Sequence, residues 1–307
     1  MMHFGHFVIT RFNLPLFRGS WGGKPDGNLD PVWLKRRFEL FERYCFPSVR
    51  AQSCQDFRWL VLLDARTPDP FRKRMESLQR EYDRLVPCYL DPEACPEPSE
   101  VYRKMAESYE QTLRQVCPDR RFDLDIEGER TLRHVVPPFL RSVISSFLPP
   151  DADWILTTRI DSDDALHRDF IASVQALFRQ DPGHQVYDFV HTYKYITEER
   201  IVYRYPLRNG HFITLAEPAD TPFQSVFYWN HLFVEHFLPV KHIYREALQL
   251  EVVHGGNVVN GFTELSASGL LHGWLFFRPG HFGLRALPLS GSRFFRMLGW
   301  TVKNRRK

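Results

Sequence analysis

The stretch Trp154-Ile155-Leu156-Thr157-Thr158-Arg159-Ile160-Asp161-Ser162-Asp163-Asp164 decides how the rest of the chain is read. It begins as an apolar, β-branched run, the pattern of a strand buried on both faces of a parallel sheet. It then gives three carboxylates within four residues, after which Phe170, Val174 and Leu177 recur at helical spacing. The acids therefore fall where a strand hands over to a helix. In open α/β sheets, ligands bind beyond the carboxyl ends of the strands. Carboxylates crowded there repel one another. A divalent cation relieves that repulsion, and Mg²⁺ or Mn²⁺ is commonly held by one or two carboxylates together with substrate phosphates. The stretch reads as a metal–diphosphate site. The competing reading is helix capping by Asp163 or Asp164. Asp-x-Asp alone is not selective, because Asp123-Leu-Asp125 and Asp151-Ala-Asp153 carry it too; neither follows an apolar run. An EF-hand is excluded, since Leu166 stands where its loop needs glycine.

Upstream, Phe7-Val-Ile-Thr-Arg-Phe reads as a first strand, followed by a Gly- and Pro-rich loop to Pro31. Asp30-Pro31 is a helix start, a cap followed by proline at the first helical position. Leu34, Phe38, Phe41 and Cys45 continue that helix, which Pro47 is expected to end. Trp59 to Asp64 is a second buried strand. Asp69-Pro70 opens a helix with the stripe Phe71, Met75, Leu78, Tyr82 and Leu85, and Val86 to Leu90 is an edge-like strand because of Pro87. Strand and helix alternating in this order predict an α/β fold with a mostly parallel central sheet. Helices are expected over 99–117 and 137–148, separated by a charged, irregular stretch at 118–133. Beyond a helix at about 167–179 the pattern changes. Residues 187–196, 200–205 and 211–215 predict three strands of an antiparallel meander, and Leu250 to His254 a strand running into Gly255-Gly256-Asn257.

Composition narrows the function classes. At 307 residues the chain can bury a full core. Five cysteines, an odd number with no C-x-x-C pair, argue for reduced thiols. The start Met-Met-His-Phe-Gly-His lacks the basic and apolar regions of a signal peptide, and a cytoplasmic location is expected from it. The net charge of +3 hides an asymmetry: residues 265–307 carry eight basic groups and no acid, so the rest of the chain is −5. That argues against a nucleic-acid binder. The basic tail interleaves Trp274, Phe276, Phe277, Phe294, Phe295 and Trp300. It suits either peripheral contact with an anionic membrane on its inner face or aromatic packing against the main domain with the charges in water.

The stretches VITRFN, RFELFERYCFPSVRAQS, WLVLLD, ILTTRIDSDDALHRDF, FITLAE and LEVVHGGNVVN span roughly residues 7–260. In this order they resemble the rhamnosyltransferase family, a bacterial group that looks like GT-A-fold glycosyltransferases. The resemblance implies a GT-A-like domain over 1–264, with a nucleotide-sugar-binding half at 1–166, an antiparallel acceptor half at 167–264 and an extension at 265–307. It implies a nucleotide-sugar donor, for which the family's name suggests dTDP-rhamnose, a saccharide or lipid-linked acceptor, and a divalent metal, Mn or Mg.

Under that reading Asp161 and Asp163 hold the metal, Asp164 is either a further ligand or orients one, and the resemblance adds His254 as a late ligand. Taken alone, a histidine at a strand end is more often a satisfied structural group; Gly255, Gly256 and the resemblance bring the two roles of His254 level. Asp64, ending its strand, faces the nucleotide or caps the following loop. Thr10 and Arg11 border the same pocket, with Arg11 toward phosphate. Arg159 lies within a buried strand and needs an acidic partner, Asp161 or Asp64. An inverting transfer needs a base; Glu217, Asp220, Glu235 and Glu251 are candidates, and Glu217 is favoured because it ends a predicted strand. Gly22-Gly23-Lys24 lacks the rest of a Walker loop. The rivals are a metal-dependent nucleotidyltransferase and a non-catalytic nucleotide- or carbohydrate-binding module.

Overall fold

The structure, a computed structural model, describes residues 3–14, 27–91, 99–116, 131–255 and 265–304. Gly22 to Lys24, most of the 118–133 stretch, Gly256 and Asn257, Cys95, Cys117 and the last three residues lie outside that set. Four strands, β1 (Phe4–Arg11), β2 (Arg58–Asp64), β3 (Leu85–Leu90) and β4 (Trp154–Arg159), pair in parallel in the order β3-β2-β1-β4. Their side chains alternate between two apolar layers, which is why these strands read as continuous apolar runs. Val8, Val61, Leu63 and Leu156 face one core with Phe38, Phe41, Met75 and Phe170. Phe7, Ile9, Leu60, Leu62 and Ile155 face the other with Val136, Leu140 and Ile144. The crossover helices are α1 (Pro31–Leu40), α2 (Phe46–Arg50), α3 (Asp69–Glu81), α4 (Glu100–Val116) and α5 (Val136–Ser145). Asp30 caps α1 as expected, accepting from Val32 N and Trp33 N at 2.9 Å.

Past β4 the chain enters a second layer through β5 (Ala165–Leu166), then α6 (Phe170–Gln180). Strands β6 (Gln185–Phe189), β9 (Thr214–Pro218) and β10 (Val240–Ile243) extend the first sheet to seven strands, with β9 antiparallel to both β4 and β6. A four-stranded sheet forms from β5, β11 (Gln249–Val253), β7 (His191–Ile196) and β8 (Ile201–Pro206). The fold is therefore the expected mixed α/β type, a mostly parallel sheet followed by a smaller, partly antiparallel portion.

Four expectations need correction. Residues 187–196 are not one strand: β6 belongs to the large sheet and β7 to the small one, with Val190 between them. β7 and β8 form the expected antiparallel hairpin, but β9 leaves for the large sheet, so no three-stranded meander forms. Pro47 does not end the first helix. A π-turn over Phe41–Cys45, closed by Phe46 N–H on Phe41 O, resets the phase so that Pro47 falls in the first turn of α2, where its missing N–H costs little. Leu85 starts β3 and is not part of α3.

Two C-terminal helices, α7 (Ala267–Phe276) and α8 (Gly291–Asn304), cover the small sheet. A glycine pair sets the approach of α7: a Cβ on Gly269 would stand 2.3 Å from Arg204 O, and one on Gly273 2.4 Å from Val202 O. Among the described residues, no helix is long and apolar enough to cross a membrane. Cys45, Cys54 and Cys88 are free thiols.

Candidate functional site

The three acids occupy the turn that carries the chain from one sheet to the other. Ile160 N still donates to Ile9 O, extending the β4–β1 ladder, and Asp164 N then closes the turn on Asp161 O at 3.3 Å. Ala165 and Leu166 pair at once with β11. Helix α6 begins only at Phe170, with Asp169 at its cap position, so Asp163 and Asp164 are not caps. Arg11, at the end of β1, meets Asp161 at 3.5 Å. In the order β3-β2-β1-β4, β1 and β4 flank the point where strand order reverses, and the open end of such a sheet there is its ligand crevice.

Each carboxylate has its own partners. Asp161 accepts from Arg159 Nη2 at 3.1 Å, fulfilling the need for an acid beside that buried guanidinium. Burial alone would raise the Asp161 carboxyl, but Arg159 and then Arg11 hold it well below the usual carboxylate range. Arg11 is itself lowered to about 10, by burial and then by the charge of Arg159. Both guanidiniums lie over the Phe227 ring, at 4.9 and 5.5 Å, and Arg159 also reaches His231 Nδ1 at 3.2 Å. Two cations thus converge on one carboxylate.

Asp163 turns the other way, to Arg37 of α1 at 3.0 Å and His254 Nε2 at 2.9 Å. Its carboxyl is lowered because Arg37 and the His254 hydrogen bond outweigh burial. Asp164 is fully enclosed, accepting from Val252 N at 2.8 Å and lying 3.0 Å from His211 Nε2. Burial pushes Asp164 up to about 7, while its carboxylate raises His211 against the effect of burial. One ligand atom each from Asp161, Asp164 and His211 lie within 4.8 Å of one another. Two carboxylate oxygens and an imidazole nitrogen suit a divalent cation such as Mn²⁺ or Mg²⁺. The expected trio of Asp161, Asp163 and His254 is divided: Asp163 bonds to both His254 and Arg37, and neither Asp163 nor His254 is in that grouping.

Other expected residues sit farther out. Asp64 ends β2 on the crevice side, but its carboxylate accepts from Asn28 Nδ2 and Arg66 Nη2, both at 2.9 Å, and from Arg66 N at 2.7 Å. Asn13 and Thr67 complete that buried polar knot. Thr10 is fully buried, and its hydroxyl accepts from Trp59 Nε1 at 3.0 Å. Glu217 is not brought to the cluster. β9 runs antiparallel to β4, so Glu217 pairs with Ile155, six residues before Asp161 and about 20 Å away at ~3.3 Å per residue. Its carboxylate accepts from Gln224 N and Ser225 N, and burial raises it to about 7.

The sequence reading missed Arg37, His211, His231 and His242. A 3-10 helix over His231–His236 lies along the same sheet face, with His231 on Arg159 and Glu235 on His242 Nε2. His242 Nδ1 lies 2.9 Å from buried Asp188. None of these carried a local motif; each arrives from a separate element.

Residues 26–126 match a protein-family model described as "Putative rhamnosyl transferase". A search of curated proteins finds no match. Solved structures similar to this chain include TarS 1–349 of S. aureus, 10% identical, with 81% of this chain and 60% of that chain covered and a TM-score of 0.39. Another is a "putative nucleotide-diphospho-sugar transferase" of Desulfovibrio desulfuricans G20, 8% identical, with 82% and 81% covered and a TM-score of 0.33. The present chain thus spans 60% of the TarS chain's length.

Proposed function

We propose that the chain is a glycosyltransferase that takes its sugar from a nucleotide-diphosphate donor and passes it to a saccharide or lipid-linked acceptor. The observation that carries this reading is the pairing of Arg11 and Arg159 on Asp161 at the β1–β4 crevice. Two guanidiniums there offer bidentate donors to a diphosphate. The family match over 26–126, which includes Arg37 and Asp64, supports the same reading and makes rhamnose the first sugar to test, as the dTDP-linked donor.

In this proposal Asp161, Asp164 and His211 would hold a divalent metal, Mn²⁺ or Mg²⁺, and its charge would offset the negative charge of the departing nucleoside diphosphate. Arg37 and His254 hold Asp163 and thereby fix the turn. The acceptor oxygen bonds to the anomeric carbon as the bond from that carbon to the diphosphate oxygen breaks. If the transfer inverts, the acceptor proton needs a base. We assign this role to Glu235 with His242, replacing Glu217. Glu235 follows His231 by four residues of the 3-10 helix, about 8 Å at ~2 Å per residue, and its side chain is 44% exposed. Residues 1–166 then serve the donor and 167–264 the acceptor.

The test is calorimetric titration with a panel of nucleoside diphosphates, with and without Mn²⁺, on the wild type and on Arg159→Ala. Binding of one nucleotide, weakened about ten-fold or more by the substitution, supports the donor site. Indifference to Arg159 would remove the crevice from the chemistry. Release of pyrophosphate from a nucleoside triphosphate, in place of nucleoside diphosphate from a sugar donor, would favour nucleotidyl transfer.

A further inference from the structure

The C-terminal helices divide their apolar residues between two opposite faces. Helix α7 lays Gly269 and Gly273 on the backbone of β8 and buries Leu270. Leu271 and Leu275, each two positions from Gly273, therefore point away from the sheet. Helix α8 turns Phe294 and Thr301 inward, with Phe294 stacked on Trp274 at 4.6 Å. On its outer side Phe295 and Val302 flank Arg296 and Lys303, with Trp300 on the other flank. Leu271, Leu275, Phe276, Phe295, Trp300 and Val302 are between 42% and 66% exposed. These six are half of the large exposed hydrophobics among the described residues, gathered on two helices in contact. The inner aromatics of the tail pack on the main domain, and its outer ones remain in solvent.

Charge selects the occupant of this outer face. Residues 265–307 hold eight basic groups and no acid, in a chain that is otherwise net acidic. Arg293 and Arg296 meet Glu199 at 2.8 and 3.1 Å, while Arg285 and Lys303 are exposed. A second copy docking face to face would set like charges against each other, because a two-fold interface uses the same patch on both subunits. An anionic lipid surface complements both components. Phosphate headgroups meet the bases, and the aromatic and aliphatic side chains enter the headgroup–acyl boundary, where such residues are favoured.

We propose that α7 and α8 form a docking face for an anionic lipid bilayer, holding the protein on the membrane surface without spanning it. The inference does not depend on glycosyl transfer. It is tested by co-sedimentation of the full chain with vesicles of phosphatidylcholine alone or phosphatidylcholine mixed with phosphatidylglycerol, without nucleotide or metal. Wild type should bind the mixed vesicles and not the neutral ones. Phe295→Ser with Trp300→Ser should weaken that binding about ten-fold or more, and Arg285→Glu with Lys303→Glu should weaken it comparably. All four positions are solvent-facing, and an unchanged thermal transition would confirm that the variants fold. Equal binding to both vesicle types, no binding to either, or binding unchanged by the substitutions would overturn the proposal. A wild-type dimer in solution that the serine variant converts to monomer, with no vesicle binding, would give the face to a second copy.

Discussion

Glu217 and Asp161 are both acids on the large sheet, yet they titrate in opposite directions for identifiable reasons. Glu217 is buried with two backbone N–H donors, and burial raises its carboxyl from 4.5 to about 7. The native protein therefore binds more protons at this site than the unfolded chain between those values, and the native state loses stability as pH rises through that window. The loss is on the order of 3 kcal/mol at ~1.4 kcal/mol per unit. Measured by urea unfolding, the stability of wild type relative to Glu217→Gln should fall from pH 4.5 to 7; a flat difference would contradict the assignment. Asp161 has the reverse sign: its arginine partners contribute stability at neutral pH that is lost as the carboxylate protonates in acid. Because Glu217 lies at the far end of β4, its glutamine variant should keep kcat within about three-fold. The carboxylate turn offers a sharper residue-level comparison. His211→Ala should weaken Mn²⁺ binding by about 10–100-fold. Asp163→Asn should leave it within a few-fold while lowering stability by roughly 3 kcal/mol, since Arg37 loses its buried carboxylate. Metal titration of the two variants decides between the ligand trio in the structure and the one expected from sequence.

At the scale of elements, local signals are reliable where local physics dominates. The strands β1, β2 and β4 were legible because apolar layers on both faces demand unbroken apolar runs. Asp30-Pro31 was legible because capping involves neighbours only. The break at Val190 was not: β6 and β7 are each buried in a sheet, so the alternation of apolar residues runs through the break unchanged. Which end of the sheet Glu217 occupies was equally hidden, because strand direction is set by pairing and not by composition. The ligand partners followed the same rule. Three acids in one turn were legible as a site, but their division among Arg37, His254, His211 and the β1 arginine depends on four other elements. The contact of α7 with β8 yields its own test. Gly273→Ala gains up to ~1 kcal/mol of helix propensity, but its Cβ would sit 2.4 Å from Val202 O and 2.7 Å from Tyr203 Cα. Overpacking against backbone costs typically ~1–3 kcal/mol, so the helix must shift and the net effect is destabilising by about 1–2 kcal/mol. A variant as stable as wild type in thermal unfolding would mean that α7 does not lie on β8.

Across the whole molecule, the carboxylate turn is a point where the two sheets meet through one set of charges. Asp161 answers to the large sheet through Arg11 and Arg159, whereas Asp164 holds the small one through Val252 N–H. A ligand gripping this turn therefore engages both sheets at once. Nucleoside diphosphate with Mn²⁺, supplied at about 100 times its Kd, should add ~2.7 kcal/mol to unfolding. That amount corresponds to a rise in Tm of roughly 4–5 °C, since a chain of 307 residues falls at or just below the ~2 °C per kcal/mol of the larger domains. The rise should be one cooperative shift, and hydrogen exchange should slow together at amides of β4 and of β11, Val252 included. Protection confined to β4 would mean that the ligand rests on the large sheet alone and that Asp164 serves only to pin β11. Protection of both sheets in the wild type, reduced to β4 in His211→Ala, would assign the link between them to the Asp164–His211 pair, because that substitution leaves Arg11 and Arg159 on Asp161 intact.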